Sequence, residues 1–177
     1  TGGFTDCLLQ RGAARVVGQA VETFGDLHVL VNNAGILRDR VIINMTEAEW
    51  DAVVAVHLKG HFCPTRHAAA YWREQTKAGK TVNAAIVHTT STSGLFANPG
   101  QANYDAAKSG IATFNQVCAK ELVRYGVRSN AIAPAARGAD PADWPTYNHG
   151  PNGWRFNPAE KTLGHGNVGG LVEKWRF

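Results

Sequence analysis

A phenol and an ammonium four residues apart, Tyr104 and Lys108, close the segment STSGLFANPGQANYDAAK that begins at Ser91. On a helix this spacing puts both side chains on one face, one turn from each other. A cation beside a phenol favours the phenolate and draws its pKa down from about 10, which makes the tyrosine a general acid or base near working pH. Ser91 lies thirteen residues ahead of Tyr104, with the turn formers Asn98, Pro99 and Gly100 between them. The chain can therefore fold back and bring the hydroxyl to the same reacting atom. Such a set would hold a carbonyl oxygen with Ser91 while Tyr104 protonates it. Tyrosine and lysine at this spacing also occur by chance on exposed helix faces, so the pair gains weight only from the elements around it.

Three short apolar runs read as strands. Val29 to Val31 is expected to be a buried strand running into Asn32, Val82 to Val87 ends just before Ser91, and Val127 to Ala133 is stopped by Pro134. Helical spacing separates them. From Ala13 the positions Val16, Val17, Ala20, Val21 and Phe24 recur on one face, with Gly25 as a stop, while residues 1 to 11 show no usable period. Thr46 and Glu49 form a capping-box pattern ahead of Trp50, Val53, Val54, His57 and Leu58. Pro64 predicts a kink near Cys63 in a helix that runs on to Gln75. After Tyr104 the inward face continues through Ile111, Phe114, Val117, Cys118, Leu122 and Tyr125 to Gly126. Helices alternating with short apolar strands imply an α/β fold with a parallel sheet, whose ligands bind beyond the carboxyl ends of the strands. Two such ends, at Asn32 and at Ser91, point to one cleft.

With Asn32-Asn33-Ala34-Gly35 after one strand, Ser91-Thr92-Ser93-Gly94 after the next and Tyr104-Asp105-Ala106-Ala107-Lys108 on a helix, the chain resembles the short-chain dehydrogenase/reductase family. The resemblance covers about residues 12–137, and residues 138–177 read as an irregular, divergent tail. It implies a partial Rossmann-like three-layer sandwich and oxidation of a secondary alcohol, or reduction of its ketone, with NAD or NADP. By the same resemblance Tyr104 is the acid/base, Lys108 its tuner and ribose anchor, and Ser91 the holder of the substrate oxygen. Asn33, Ala34, Gly35 and Pro134 fall on the cofactor side. His57 stands where much of the family has an asparagine that completes a proton relay through water. Histidine can donate, accept and titrate near neutral pH, and a locally satisfied, half-buried histidine is the alternative. The segments NNAGILRDR, VHLKGHF and ANPGQANY look most like the branch holding the (3R)-hydroxyacyl-CoA dehydrogenase part of peroxisomal multifunctional enzymes.

The ends depart from the family. Its glycine-rich phosphate loop is not found in the 31 residues ahead of Asn32, and Ala135 replaces a usual glycine. The expectation is that the half of the sheet gripping adenosine and pyrophosphate is absent, which leaves an unpaired sheet edge.

Composition narrows the remaining classes. A net charge of +4 over 177 residues, not gathered into a basic run, gives little reason to expect nucleic acid. Three scattered cysteines suit reduced thiols in a cytoplasmic protein, and no apolar run reaches membrane-spanning length. His57 and His61 have the spacing of two helical metal ligands but lack a placed third, so no metal is expected. By the resemblance, the expected partners are a small-molecule substrate and a second copy of the chain, through the helices at 46–75 and 102–125. Two classes of function stay open: a hydroxyacyl-CoA or related dehydrogenase, and a remnant that keeps the catalytic centre and serves as a dimerising module.

Overall fold

The computed structural model describes residues 2–134, with side chains from Gln10 onward. The expectation for residues 138–177 lies outside the described residues. The chain runs α1 (Gly2–Phe24), β1 (Val29–Asn32), α2 (Glu47–Val54), α3 (Gly60–Lys77), β2 (Ala84–Thr89), α4 (Thr92–Phe96), α5 (Ala102–Leu122) and β3 (Val127–Ile132). Helix α1 extends well ahead of Ala13. Propagating an existing helix fixes one residue per hydrogen bond, so it continues without an apolar period to drive it.

The three strands are parallel and ordered β1-β2-β3. Leu30 pairs with Ile86 and Ile86 with Ser129, while Val31 pairs with Val87 and Val87 with Asn130. Because side chains alternate across a strand, this register sorts the sheet into two faces. Ala84, Ile86, His88, Val127 and Ser129 share one face and are buried. Val17 of α1, Ala68 and Trp72 of α3, and Cys118 and Leu122 of α5 pack there, with Ala84, Ile86 and Val127, in one core. Ile86 is fully enclosed, which contributes roughly 1.5–3 kcal/mol relative to exposure. Trp72 is anchored at its polar end too, its Nε1–H donating to the Leu27 carbonyl at 2.6 Å.

The opposite face is uncovered among the described residues. Val29, Val31 and Ile132 are 55%, 59% and 48% exposed, so the expected burial of β1 on both faces does not hold. Of the three layers implied by the resemblance, the described residues build the sheet and one helical layer. The apolar stripe of α1 is likewise only partly used: Ala13 and Val17 are buried, but Val16 and Phe24 face solvent because α1 packs on the rest of the described fold mainly along α3.

The capping box at the start of α2 is formed. Thr46 accepts from the Glu49 N–H, and the Glu49 carboxylate accepts from the Thr46 N–H. The expected irregularity around Pro64 is displaced one turn toward the N-terminus. Ala55–Lys59 winds as a π-helical turn, in which the Gly60 N–H reaches back five residues to the Ala55 carbonyl. Pro64 then sits inside α3. The wide turn absorbs the mismatch before the proline and presents His57. At the other end of the layer, Gly126 takes a left-handed φ of 75° between α5 and β3, and a Cβ there would lie 2.1 Å from the Val82 carbonyl oxygen.

Candidate active site

The site gathers at the carboxyl ends of β1 and β2. Helix α4 follows directly on β2 and is capped by Ser91, whose extended backbone lets its Oγ accept from the Ser93 N–H at 3.2 Å. The Ser91 hydroxyl proton is left to donate elsewhere. Helix α4 lies hard against α5: a Cβ on Gly94 would fall 2.5 Å from Lys108 Cβ. Only glycine allows that approach. Thr90 Oγ–H donates to the Lys108 carbonyl at 2.6 Å, and Lys108 Nζ donates to the Thr89 carbonyl at 2.6 Å. The end of β2 and the lysine turn of α5 are thereby bonded in both directions.

Tyr104 and Lys108 share the inner face of α5 as the spacing predicts, with Nζ 5.5 Å from the phenol ring centre. Lys108 is almost wholly buried, and that burial lowers its pKa. One ammonium proton is spent on Thr89. Two remain, enough for the paired hydroxyls of a ribose. The Tyr104 hydroxyl takes no hydrogen-bond partner among the described residues, and the ring is edge-on to His57 with centres 5.1 Å apart.

His57 is buried and fastened to the turn that follows β1. Its Nε2 lies 2.7 Å from the Ile36 carbonyl and 3.0 Å from the Ile36 N–H. One nitrogen cannot serve both. The nearer oxygen decides for a protonated Nε2, since a bare nitrogen at that distance would set two lone pairs against each other. Nδ1 is then a bare, buried acceptor with no partner. Burial lowers the His57 pKa. Gly35 rests on this ring, and a Cβ there would stand 2.5 Å from His57 Cε1. Asn33, Ala34, Gly35 and Pro134 themselves are exposed along the rim.

Asn103, not singled out in the sequence, locks the two halves together. Fully buried, its Nδ2 donates to the carbonyls of Arg38 and Glu49 at 3.0 and 3.2 Å, while its Oδ1 accepts from the Tyr104 N–H. Gln101 adds a bond to Asp39, and the Arg40 N–H donates to the Gly100 carbonyl. The only sequence signal was a polar residue immediately ahead of Tyr104, which an exposed helix start also explains.

The His57 and His61 rings turn to different partners. His61 Nδ1–H donates to the His57 carbonyl at 2.6 Å, and no group of three His, Cys, Asp or Glu side chains placed to hold a metal occurs among the described residues. For a dinucleotide, the exposed rim and Lys108 fit the nicotinamide-ribose end. The described residues offer no glycine-rich turn for a pyrophosphate. A pocket of about 780 Å³ lies on the neighbouring flank of α5, lined among others by Val41, Leu95, Phe96 and Asp105, and Tyr104 and Lys108 are not in its wall.

Comparison with known proteins adds to this geometry. The family model described as short chain dehydrogenase matches residues 5–142. A hydroxyacyl-CoA dehydrogenase of Mycobacterium tuberculosis is 50% identical over 136 residues, covering 76% of this chain and 43% of that protein. A peroxisomal hydratase-dehydrogenase-epimerase of Neurospora crassa is 44% identical over 122 residues, covering 69% of this chain and 13% of that protein. The crystal structure of a short chain dehydrogenase from Mycobacterium avium, 61% identical, superposes with a TM-score of 0.71 over 72% of this chain and 45% of that one. The chain thus spans less than half the length of each of these relatives.

Proposed function

The chain belongs to the short-chain dehydrogenase family, and from that premise we propose that it supplies the catalytic half of an NAD- or NADP-dependent oxidoreductase acting on a 3-hydroxyacyl-CoA/3-oxoacyl-CoA pair. The observation that carries this is Tyr104 and Lys108 on one face of α5, with a free phenol hydroxyl beside an ammonium fixed by Thr89. The names of the Mycobacterium tuberculosis and Neurospora crassa relatives support the substrate class.

A bound nicotinamide supplies the hydride acceptor or donor. This chain's residues manage the proton. In oxidation the Tyr104 oxygen takes the hydroxyl proton of the substrate while Ser91 donates to the same substrate oxygen; in reduction Tyr104 returns the proton. Lys108 stabilises the phenolate by its charge and offers its two spare protons to the ribose. His57, with Nδ1 bare and its ring edge against Tyr104, is the candidate for passing the proton onward through water. Asn33 to Gly35 and Pro134 border the cofactor.

Assay of 3-oxoacyl-CoA reduction with NADH and NADPH, alongside 3-oxoacyl carrier-protein and hydroxysteroid substrates, tests the reading. Turnover abolished by Tyr104→Phe supports it; turnover that survives the substitution removes Tyr104 from the role. A second reading is a module that associates through α2, α3 and α5 without holding a dinucleotide, supported by the exposed apolar side chains Trp50, Phe62 and Val117 on those helices. NADH titration separates the two, since tight binding excludes the second.

A further inference from the structure

Two buried histidines take no part in the reaction as proposed. His61, on α3, and His88, on β2, lie 1% and 0% exposed, with rings stacked at 5.6 Å. Both are polar groups on the packed side of the sheet, where the surrounding core is apolar. His88 keeps an Nε2 that is buried and without a partner among the described residues, and the His61 Nε2 is buried with no well-formed hydrogen bond, the Asn32 main chain lying close to the ring. A pair of leucines would fill such a place without that cost, so packing alone does not account for them.

What they touch is more specific. On one side, His88 Nδ1 meets the Asn32 side chain at 3.3 Å, and Asn32 Nδ2 also donates to Thr65 Oγ1 at 3.0 Å. Asn32 is the first residue of the 32–36 turn. On the other side, His61 Nδ1–H donates to the His57 carbonyl, within the π-helical turn. His57 in turn fastens Ile36, at the far end of the same turn. The contacts form a closed ring: Asn32, His88, His61, His57, Ile36, and back along the chain to Asn32.

We infer that His61 and His88 are positioning residues, which together tie the start of the 32–36 turn to the main chain of His57 and so hold the His57 ring beside Tyr104. Their role in hydride transfer rests on the function proposed above; the clamp itself does not. The π-helical turn explains why a clamp is needed. The π-helical turn at Ala55–Lys59 interrupts the regular i-to-i−4 ladder, and His57 is carried on it. Phe114 backs the pair from α5, its ring edge-on to His88 at 5.3 Å.

Nitrogen-15 imidazole spectra of the labelled chain test the clamp without any need for turnover. The native His57 ring is expected to show one protonated and one bare nitrogen as two separate signals, the mark of a single locked tautomer. His61→Phe keeps a ring stacked on His88 and removes the donor to the His57 carbonyl. In that variant the two His57 signals should move toward their average, and the Gly60 amide, bonded back into the π-helical turn, should exchange roughly tenfold faster. The Ala85 amide, bonded to the His28 carbonyl, is the control that should not change. His61→Gln, which restores a donor, should return the locked pattern. An unchanged His57 pattern and Gly60 exchange rate in His61→Phe overturns the inference. Should that variant fail to fold, His88→Phe, which releases Asn32 instead, is read in the same way with the same two outcomes. Absence of turnover in the native chain, with the clamp signals intact, would count against the proposed reaction and leave the clamp standing.

Discussion

Two polar clusters flank the end of β2, and they spend their hydrogen bonds differently. On the α5 side, Ser91, Thr90 and Lys108 are each tied once to the main chain, which leaves the serine hydroxyl and two ammonium protons to spare, and Tyr104 is not tied at all among the described residues. On the α3 side, Asn32, Thr65, His61, His88 and His57 are linked to one another and to the backbone by hydrogen bonds and by the stacking of His61 on His88, with one buried ring nitrogen left over on each histidine. Groups that must meet a substrate keep donors in reserve. Groups that must hold a shape use theirs internally, and a rigid support built this way is what lets the reactive side stay open.

The largest effect expected from breaking this contrast is on the open side. Tyr104→Phe removes one oxygen that bonds to nothing among the described residues, so thermal stability should change little, while turnover should drop by about 10²–10⁴-fold. Parallel melting curves and kinetics would check both halves. A large loss of stability would show that the hydroxyl is structural after all.

Acid should act on the closed side. Burial pushes the His61 and His88 pKa values from 6.5 to about 4, so between these limits the unfolded chain binds protons that the folded chain refuses. Stability is then complete above pH 6.5, falls on the order of 1 kcal/mol per pH unit for each histidine as the pH drops toward 4, and levels off below. Denaturant melts across that range measure the slope. His61→Phe should remove the His61 share of it, and a slope unaffected by that substitution would separate the histidines from the acid response.

Gly35→Ala probes the seam between the clusters. The new Cβ would stand 2.5 Å from His57 Cε1, and the ring has little room to retreat with Tyr104 across its edge. Loss of about 1–3 kcal/mol is expected, measured by denaturant melts, as for other overpacked positions.

These clusters were unequally legible in the sequence. The open one was readable because its geometry is local: Tyr104 and Lys108 meet through helical spacing, and Ser91 announces itself at the end of an apolar run. The closed one depends on pairings across 20 to 60 residues, as between Asn32 and His88, which no period in the chain records. His61 suggested only a metal spacing with His57, and His88 looked like an ordinary strand residue. The capping box at Thr46 was visible for the same reason as the Tyr-Lys pair. The π-helical turn was not, because Pro64 marks a helix fault without saying on which turn it will be absorbed. Nor could three apolar residues in a row at β1 tell which face would be covered, since the answer depends on the helices packed beside it.

The smallest effects should sharpen the contrast most. Thr90 and Thr65 are both buried threonines whose hydroxyls make one bond each, Thr90 to the Lys108 carbonyl and Thr65 from Asn32 Nδ2. Valine at either position keeps the shape and removes the hydroxyl, at a cost of about 1 kcal/mol. The two losses should nevertheless travel differently. Lys108 Nζ stays on the Thr89 carbonyl when Thr90 is changed, so Thr90→Val should leave the His88 titration where it was. Thr65→Val leaves Asn32 with His88 as its remaining side-chain partner, and the His88 midpoint should shift with it. Equal stability losses with a shift in one variant alone would mean that the two clusters are separate circuits; a shift in both would mean that β2 couples them.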